Sequence, residues 1–404
     1  MFQNLIHRLL QRRHFWRYAT FGEVAELYAS RTMRMFALRI VTTFTSIYLY
    51  QEGYSLVFLA FFWAVFYFIK VPFSWPSAQL IARLGPKHTT LISNIVSALG
   101  MGFLPFVPVY GLAVLIPWCV LQAFSSCLND LSYLVDFSKV KNAEHAGKEI
   151  GYMNIFEKVA TGLSPVIGGV LAFYFGPQIV MLLSAVLFLL SAVPLLRTGE
   201  PIVTHQKLDF RGFPWRTTWR SFVAESAIGF DVFASGTAWT LFITVVIFAG
   251  NGDEIYAKVG ILTSATLVAA LLASYTFGRI IDHRRGRDLL RVAVVTNSLT
   301  HIFRPFVGTP VGVIASNLAN ETATTGYSMA FTRGMFDAAD NSGRRVVYLF
   351  FIEMVVNLGA SVAAVLLGLL LMVFDGEMSL RLFFFATAVI TLLIAAPRFM
   401  LYRK

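Results

Sequence analysis

A set of charged side chains interrupts stretches of chain that are otherwise apolar. Arg39, Lys70, Asp130 beside Asn129, Glu157 followed by Lys158, Asp231, Glu321 and Glu353 all fall well inside hydrophobic runs. A charge at membrane depth costs about 2.5–3.5 kcal/mol on insertion scales, so each marks a functional site by default. Carboxyls there can take up and release protons, and cations there can hold an anionic solute. Glu321 stands out because Asn317, Asn320, Thr322 and Thr324 surround it. A desolvated carboxyl among polar neighbours is a candidate for proton exchange or substrate contact. Arg31 and Arg34, near the start of the first run, read as side chains reaching back to the membrane interface.

The elements that position these groups must be membrane helices. The 404 residues are 57% hydrophobic and 14% charged, with a mean hydropathy of +0.67. Soluble domains carry nearer a quarter charged residues. Apolar runs long enough to cross a bilayer recur along the whole chain. Twelve spans are predicted, at 29–51, 55–80, 88–108, 110–136, 148–174, 177–197, 223–249, 255–281, 289–308, 310–334, 345–374 and 379–400.

The loops give a direction. Arg83 and Lys87, then Lys139, Lys141 and Lys148, fall in even-numbered loops. Arg197, Lys207, Arg211, Arg216 and Arg220 follow in the middle one, and Arg284, Arg285, Arg287, Arg344 and Arg345 complete the set. The odd-numbered loops are short and nearly free of cations. Cations retained on one side put both termini in the cytoplasm, and the chain is expected in a bacterial-type inner membrane. Residues 1–22 lack the apolar core of a signal peptide. Phe2, Leu5, Ile6, Leu9 and Leu10 share one helical face against Arg8, Arg12, Arg13 and Arg17, as in a segment lying on an anionic leaflet.

Several functions are set aside. The net charge of +11 is spread between hydrophobic spans and not gathered on one face, which argues against nucleic acid. Cys119 and Cys127 share one apolar segment and read as core residues, so neither a disulfide nor a metal site is expected. No zinc-binding His-Glu-x-x-His, phosphate-cradling loop or nucleophile elbow occurs in the sequence. Neither an enzyme nor a cofactor is expected.

The sequence also repeats. Val24-Ala25-Glu26 recurs as Val223-Ala224-Glu225, and Gly147-Lys148, Tyr152 and Glu157 recur as Gly343-Arg344, Tyr348 and Glu353. Two copies of six helices in one orientation imply an axis along the membrane normal and a cavity between the halves. The predicted division is 23–198, a linker at 199–222 with an amphipathic helix at its end, and 223–404.

On this repeat a resemblance becomes specific. Gly278-Arg279-Ile280-Ile281-Asp282, followed by Arg284, Arg285, Gly286 and Arg287, resembles the signature loop of the major facilitator superfamily, with one extra residue. The first-half copy, residues 78–87, keeps the spacing but has Ala at the positions of the family's first Gly and its Asp. Ser164-Pro165-Val166-Ile167-Gly168-Gly169 resembles an element found in antiporters of that superfamily, and its small residues also suit close helix packing.

The resemblance implies an all-α fold of two pseudo-twofold-related six-helix bundles. Helices one, four, seven and ten would line the cavity, presenting Arg39, Asp130, Asp231 and Glu321. Helices two and eleven would meet across it, bringing Lys70 to Glu353. Arg83, Gly278, Asp282, Arg285, Gly286 and Arg287 would serve the gate. The activity implied is secondary transport of a small organic solute, proton-coupled, by rocking of the bundles, leaning to efflux and working as a monomer among membrane lipids. A lipid or lysolipid translocase of the same fold, and a non-transporting sensor or assembly partner with every charge paired, are the rival readings.

Overall fold

The computed structural model describes residues 21–140, 146–196, 208–250, 252–283 and 285–402. The basic segment expected at 1–22 therefore lies almost wholly outside the described residues, as does Arg284. Among the described residues the ordered elements are helices. In chain order the long ones are α1 (Phe21–Thr42, continued by Thr45–Gln51), α2 (Leu56–Leu84), α3 (Pro86–Met101), α4 (Leu112–Val140), α5 (Ala146–Phe175) and α6 (Pro177–Ala192). They are followed by α7 (Trp215–Phe233), α8 (Glu254–Ser264 and Leu267–Asp282), α9 (Gly286–Phe303), α10 (Pro310–Asn341), α11 (Arg345–Val373) and α12 (Gly376–Thr391).

Local chemistry sets their ends. The Ser55, Thr309 and Asp375 side chains accept hydrogen bonds from the backbone N–H groups of Phe58, Gly312 and Met378, capping α2, α10 and α12. Pro86, Pro177 and Pro310 open α3, α6 and α10, where the missing N–H costs nothing. The chain turns sharply at Gly85 (φ 85°), a backbone angle that side chains resist. α7 starts at Trp215, so the stretch expected as a separate linker helix is its first two turns. It continues past Phe233 through two π-helical turns, Ala234–Ala238 and Ile243–Ile247.

Nine helical segments among the described residues are long and apolar enough to span a bilayer. α1, α9 and α10 are not among them: α1 carries Glu26, Arg31, Arg34 and Arg39, α9 carries Arg287, Asp288, Arg291 and His301, and α10 carries Glu321 among Asn and Thr residues. The chain is a multi-pass membrane protein.

The contact pattern repeats at an offset of six helices. α1 packs on α5 as α7 packs on α11; α2 on α4 as α8 on α10; α3 on α4 and α6 as α9 on α10 and α12. Between the halves, α2 lies along α11 and α5 lies along both segments of α8. Small residues permit the second approach: a Cβ on Gly169 would stand 2.3 Å from the Tyr256 carbonyl oxygen, and one on Gly260 2.4 Å from that of Pro165. Gly168 meets α1 in the same way, at 2.6 Å from the Ile40 carbonyl oxygen. The Ser164–Gly169 element thus makes a close crossing of three helices.

Candidate functional site

Five charged side chains from five helices form one chain of contacts. Arg31 Nε on α1 stands 2.7 Å from Glu157 Oε1 on α5, and its Nη1 3.7 Å from Asp130 Oδ1 on α4. Lys70 Nζ on α2 lies 3.6 Å from Asp130 Oδ2 and 3.5 Å from Glu353 Oε1 on α11. Asn357, one turn beyond Glu353, donates to its carboxylate at 2.6 Å. The last link crosses from one half to the other, as the pairing of α2 with α11 requires.

This chain holds three acids against two bases. A fourth acid adds to the excess: Glu225 on α7 is within electrostatic reach of Glu353, and its Oε2 has no hydrogen-bond partner among the described residues. Buried like charges repel strongly at low dielectric. A proton shared among these carboxyls would relieve that repulsion.

A second bridge between the halves joins Lys158 on α5 to Glu321 on α10, at 2.5 Å. Glu321 is therefore an ion-paired carboxylate that also accepts from Thr325 at 3.4 Å. Arg39 on α1 is exposed, within electrostatic reach of Glu321 and of Tyr67, and makes no ion pair among the described residues. It is a cation available to an anionic group.

Asp231 belongs to a different arrangement. It is 1% exposed, and its hydrogen-bond partners all belong to the second half. His301 Nε2 meets its Oδ1 at 2.6 Å, Ser235 donates to it at 3.0 Å, and the Tyr327 hydroxyl donates to its Oδ2. Arg304, wholly buried, donates to Ser235 at 3.1 Å and lies over the Trp239 ring at 4.7 Å. Ser235 sits in the first π turn of α7 and also reaches Asn320 at 3.0 Å. These residues lie on α7, on α9 and the turn directly after it, and on α10, so the cluster pins that half together. His301 and Arg304 carried the same signal as the other charges, an ionisable residue inside an apolar run, and sequence reasoning passed over them.

The first half has its own pin. Arg34 is 2% exposed, donates to Asn94 Oδ1 at 2.6 Å and to Ser125 Oγ at 3.3 Å, and lies over Phe188. Arg31 is mostly enclosed, with its side chain 12% exposed, and lies against the Tyr133 ring at 4.0 Å. The expectation that both reach back to the membrane interface is corrected: acceptors on α3, α4 and α5 hold them inside the bundle.

At the basic end, Arg83 is exposed while Lys87 is buried and reaches Glu26 on α1 at 3.0 Å. Gly278 on α8 meets Gly151 on α5, where an added Cβ on Gly151 would stand 3.6 Å from the Gly278 Cα. Asp282 is half-buried at the end of α8, and Arg285 reaches Asp288 at 3.9 Å. Gly286 and Arg287 open α9.

Comparison with known proteins accords with this geometry. The sequence pattern described as Major Facilitator Superfamily matches residues 27–342. Among solved structures, the E. coli fucose:proton symporter FucP aligns at a TM-score of 0.66 and 14% identity, over 92% of this chain and 97% of that one. FucP in its outward conformation aligns at 0.64 and 14%, over 91% and 97%. The human organic anion transporter TETRAN aligns at 0.66 and 10%, over 92% and 98%. No curated sequence matches. At such identities the likeness is one of fold, and the family assignment rests on the matched pattern. The chain belongs to the Major Facilitator Superfamily and is a transporter rather than an enzyme.

Proposed function

We propose that this protein is a proton-coupled carrier of a small organic solute bearing an anionic group, working by alternating access of two six-helix bundles. Counting α1, α9 and α10 as spans gives twelve, with the basic loops and both termini in the cytoplasm of an inner membrane. The observation that carries the reading is the chain of contacts Glu157–Arg31–Asp130–Lys70–Glu353, which ends across the interface between halves. Lys70 is shared between an acid of its own half and one of the other. Moving it towards Asp130 alone frees Glu353, and a proton on Glu353 would stabilise the separated state.

Arg39 supplies the anion contact, beside the Lys158–Glu321 bridge. The proton symporter and the organic anion transporter among the similar folds are in keeping with both parts of the proposal. A sensor with every charge paired fits less well, since Arg39 and Glu225 lack ion-pair partners among the described residues. The Pro165 element, which favoured efflux in the sequence, does packing work common to either direction.

The test is a solute panel in proteoliposomes. Carboxylates, phosphate esters and neutral analogues are offered to wild type and to Arg39→Gln. The proposal expects exchange of an anionic class that falls at least tenfold in the variant. Equal exchange of neutral analogues by both proteins contradicts it.

A further inference from the structure

A cleft of about 260 Å³ opens at the basic end of the second half, where the start of α7, the start of α9 and the chain after α12 converge. Four arginines line it, Arg220, Arg287, Arg291 and Arg398, together with Leu290 and Pro397. They come from three distant parts of the sequence. None forms an ion pair among the described residues, and Asp288, next to Arg287 in sequence, contacts Arg285.

The gathering of like charge is built into the fold. After α12 the chain is pinned by Phe399 and Tyr402, both buried. Phe399 packs where a Cβ on Gly334 would stand 2.3 Å from its ring, and Tyr402 where one on Gly286 would stand 2.4 Å away. The Tyr402 hydroxyl donates to the Ala330 carbonyl at 2.9 Å. Arg398, beside Phe399, is thereby fixed next to the α9 terminus. That terminus has no side-chain cap, so its unpaired N–H groups add partial positive charge to the cleft.

The surroundings point to lipid. Trp215 and Trp219 are half-exposed beside Arg220, and Leu393 and Met400 are exposed on either side of the 395–398 stretch. Tryptophans and exposed aliphatic side chains around a basic cleft are what a site at the headgroup level of a bilayer requires.

We propose that this cleft binds the phosphate headgroup of an anionic phospholipid in the leaflet facing the basic loops. The acyl chains would run along the apolar rim while the arginines hold the phosphodiester by charge-assisted hydrogen bonds. The site is separate from the charge chain between the halves, and its test does not depend on what solute is carried.

The experiment is a titration of the purified full-length protein in neutral detergent, read by tryptophan fluorescence and by thermal unfolding. Phosphatidylglycerol, phosphatidylcholine and inorganic phosphate are the probes. Phosphatidylglycerol is expected to bind wild type and raise its unfolding temperature, and the other two to do neither. Arg291→Gln with Arg398→Gln should weaken phosphatidylglycerol about thirtyfold, on roughly fivefold per arginine at a membrane surface. Arg211→Gln with Arg216→Gln removes the same charge outside the cleft and should weaken it less than about threefold. If the cleft double variant fails to fold, Arg291→Gln alone is read for its share.

Equal loss in both double variants would show a diffuse surface effect and overturn the proposal. So would phosphatidylcholine binding as tightly as phosphatidylglycerol. Protection by inorganic phosphate matching that by lipid would reassign the cleft to a soluble anion and overturn the lipid reading.

Discussion

Lys70 and Glu353 meet across the two halves of the protein, 3.5 Å apart, with Asp130 3.6 Å from the same ammonium group. Both side chains are nearly fully buried, at 8% and 4% exposure. Removing one member of a buried pair costs about 3–5 kcal/mol, because the other is left uncompensated. Lys70→Met is therefore expected to lower stability by about that amount and to abolish coupled transport. Exchanging the charges, with Lys70→Glu and Glu353→Lys together, should restore part of the activity lost in either single reversal. Rescue is partial because Asp130 then faces a second acid. Thermal unfolding and solute exchange read the two effects, and no rescue at all would separate the pair from the transport cycle.

Glu225 has the opposite character. It adds a carboxylate to an already acidic site without a cation of its own among the described residues. Glu225→Gln should raise stability by about 1 kcal/mol, since the polar shape is kept and the repulsion is removed. The same change should reduce the proton movement that accompanies each solute. A loss of stability would show that a cation holds Glu225 in the native protein.

The Asp231 cluster is expected to matter to stability more than to solute choice. Asp231→Asn weakens the contacts to His301, Tyr327 and Ser235, and the positive charge of Arg304 loses its compensation. A loss of about 2–4 kcal/mol is predicted. A double-mutant cycle with Arg304→Met should show a coupling of about 1 kcal/mol or more. Additive effects would mean that the two groups act independently.

The crossing of α5 with α8 gives a steric prediction. Gly169→Val places carbon within 2.3 Å of the Tyr256 carbonyl oxygen, so the helices must part. Overpacking of this kind costs about 1–3 kcal/mol, and transport should fall with it. Gly308→Ala, where an added Cβ meets open space, serves as the control and should change stability by less than about 0.5 kcal/mol. Equal behaviour of the two variants in unfolding and exchange would remove the crossing from the account.

The family and the partners of its most buried charges were legible to different degrees. The repeat of Glu157 as Glu353, with the signature loop at Gly278–Gly286, sufficed for the superfamily, and the pairing of α2 with α11 brought Lys70 to Glu353. Arg31 and Arg34 were misread because a cation near the start of an apolar run has the same local pattern whether it faces lipid headgroups or a buried amide. Only the position of Asn94 and Ser125, on helices far along the chain, decides that Arg34 is inside. The partner of Glu321 was hidden for the same reason, as Lys158 lies 163 positions away in sequence. Glu225 was visible as the second copy of Glu26, but Glu26 has Lys87 beside it and the copy has no ion-pair partner among the described residues.

The measurement that tests the central claim most directly is proton movement in proteoliposomes carrying an internal pH dye, as anionic solutes are added to wild type and to Glu353→Gln. Coupled transport predicts a solute-dependent proton flux in the wild type that is lost in the variant while solute exchange persists. Solute exchange without any proton flux in the folded wild-type protein, or an undiminished flux in Glu353→Gln, would contradict it.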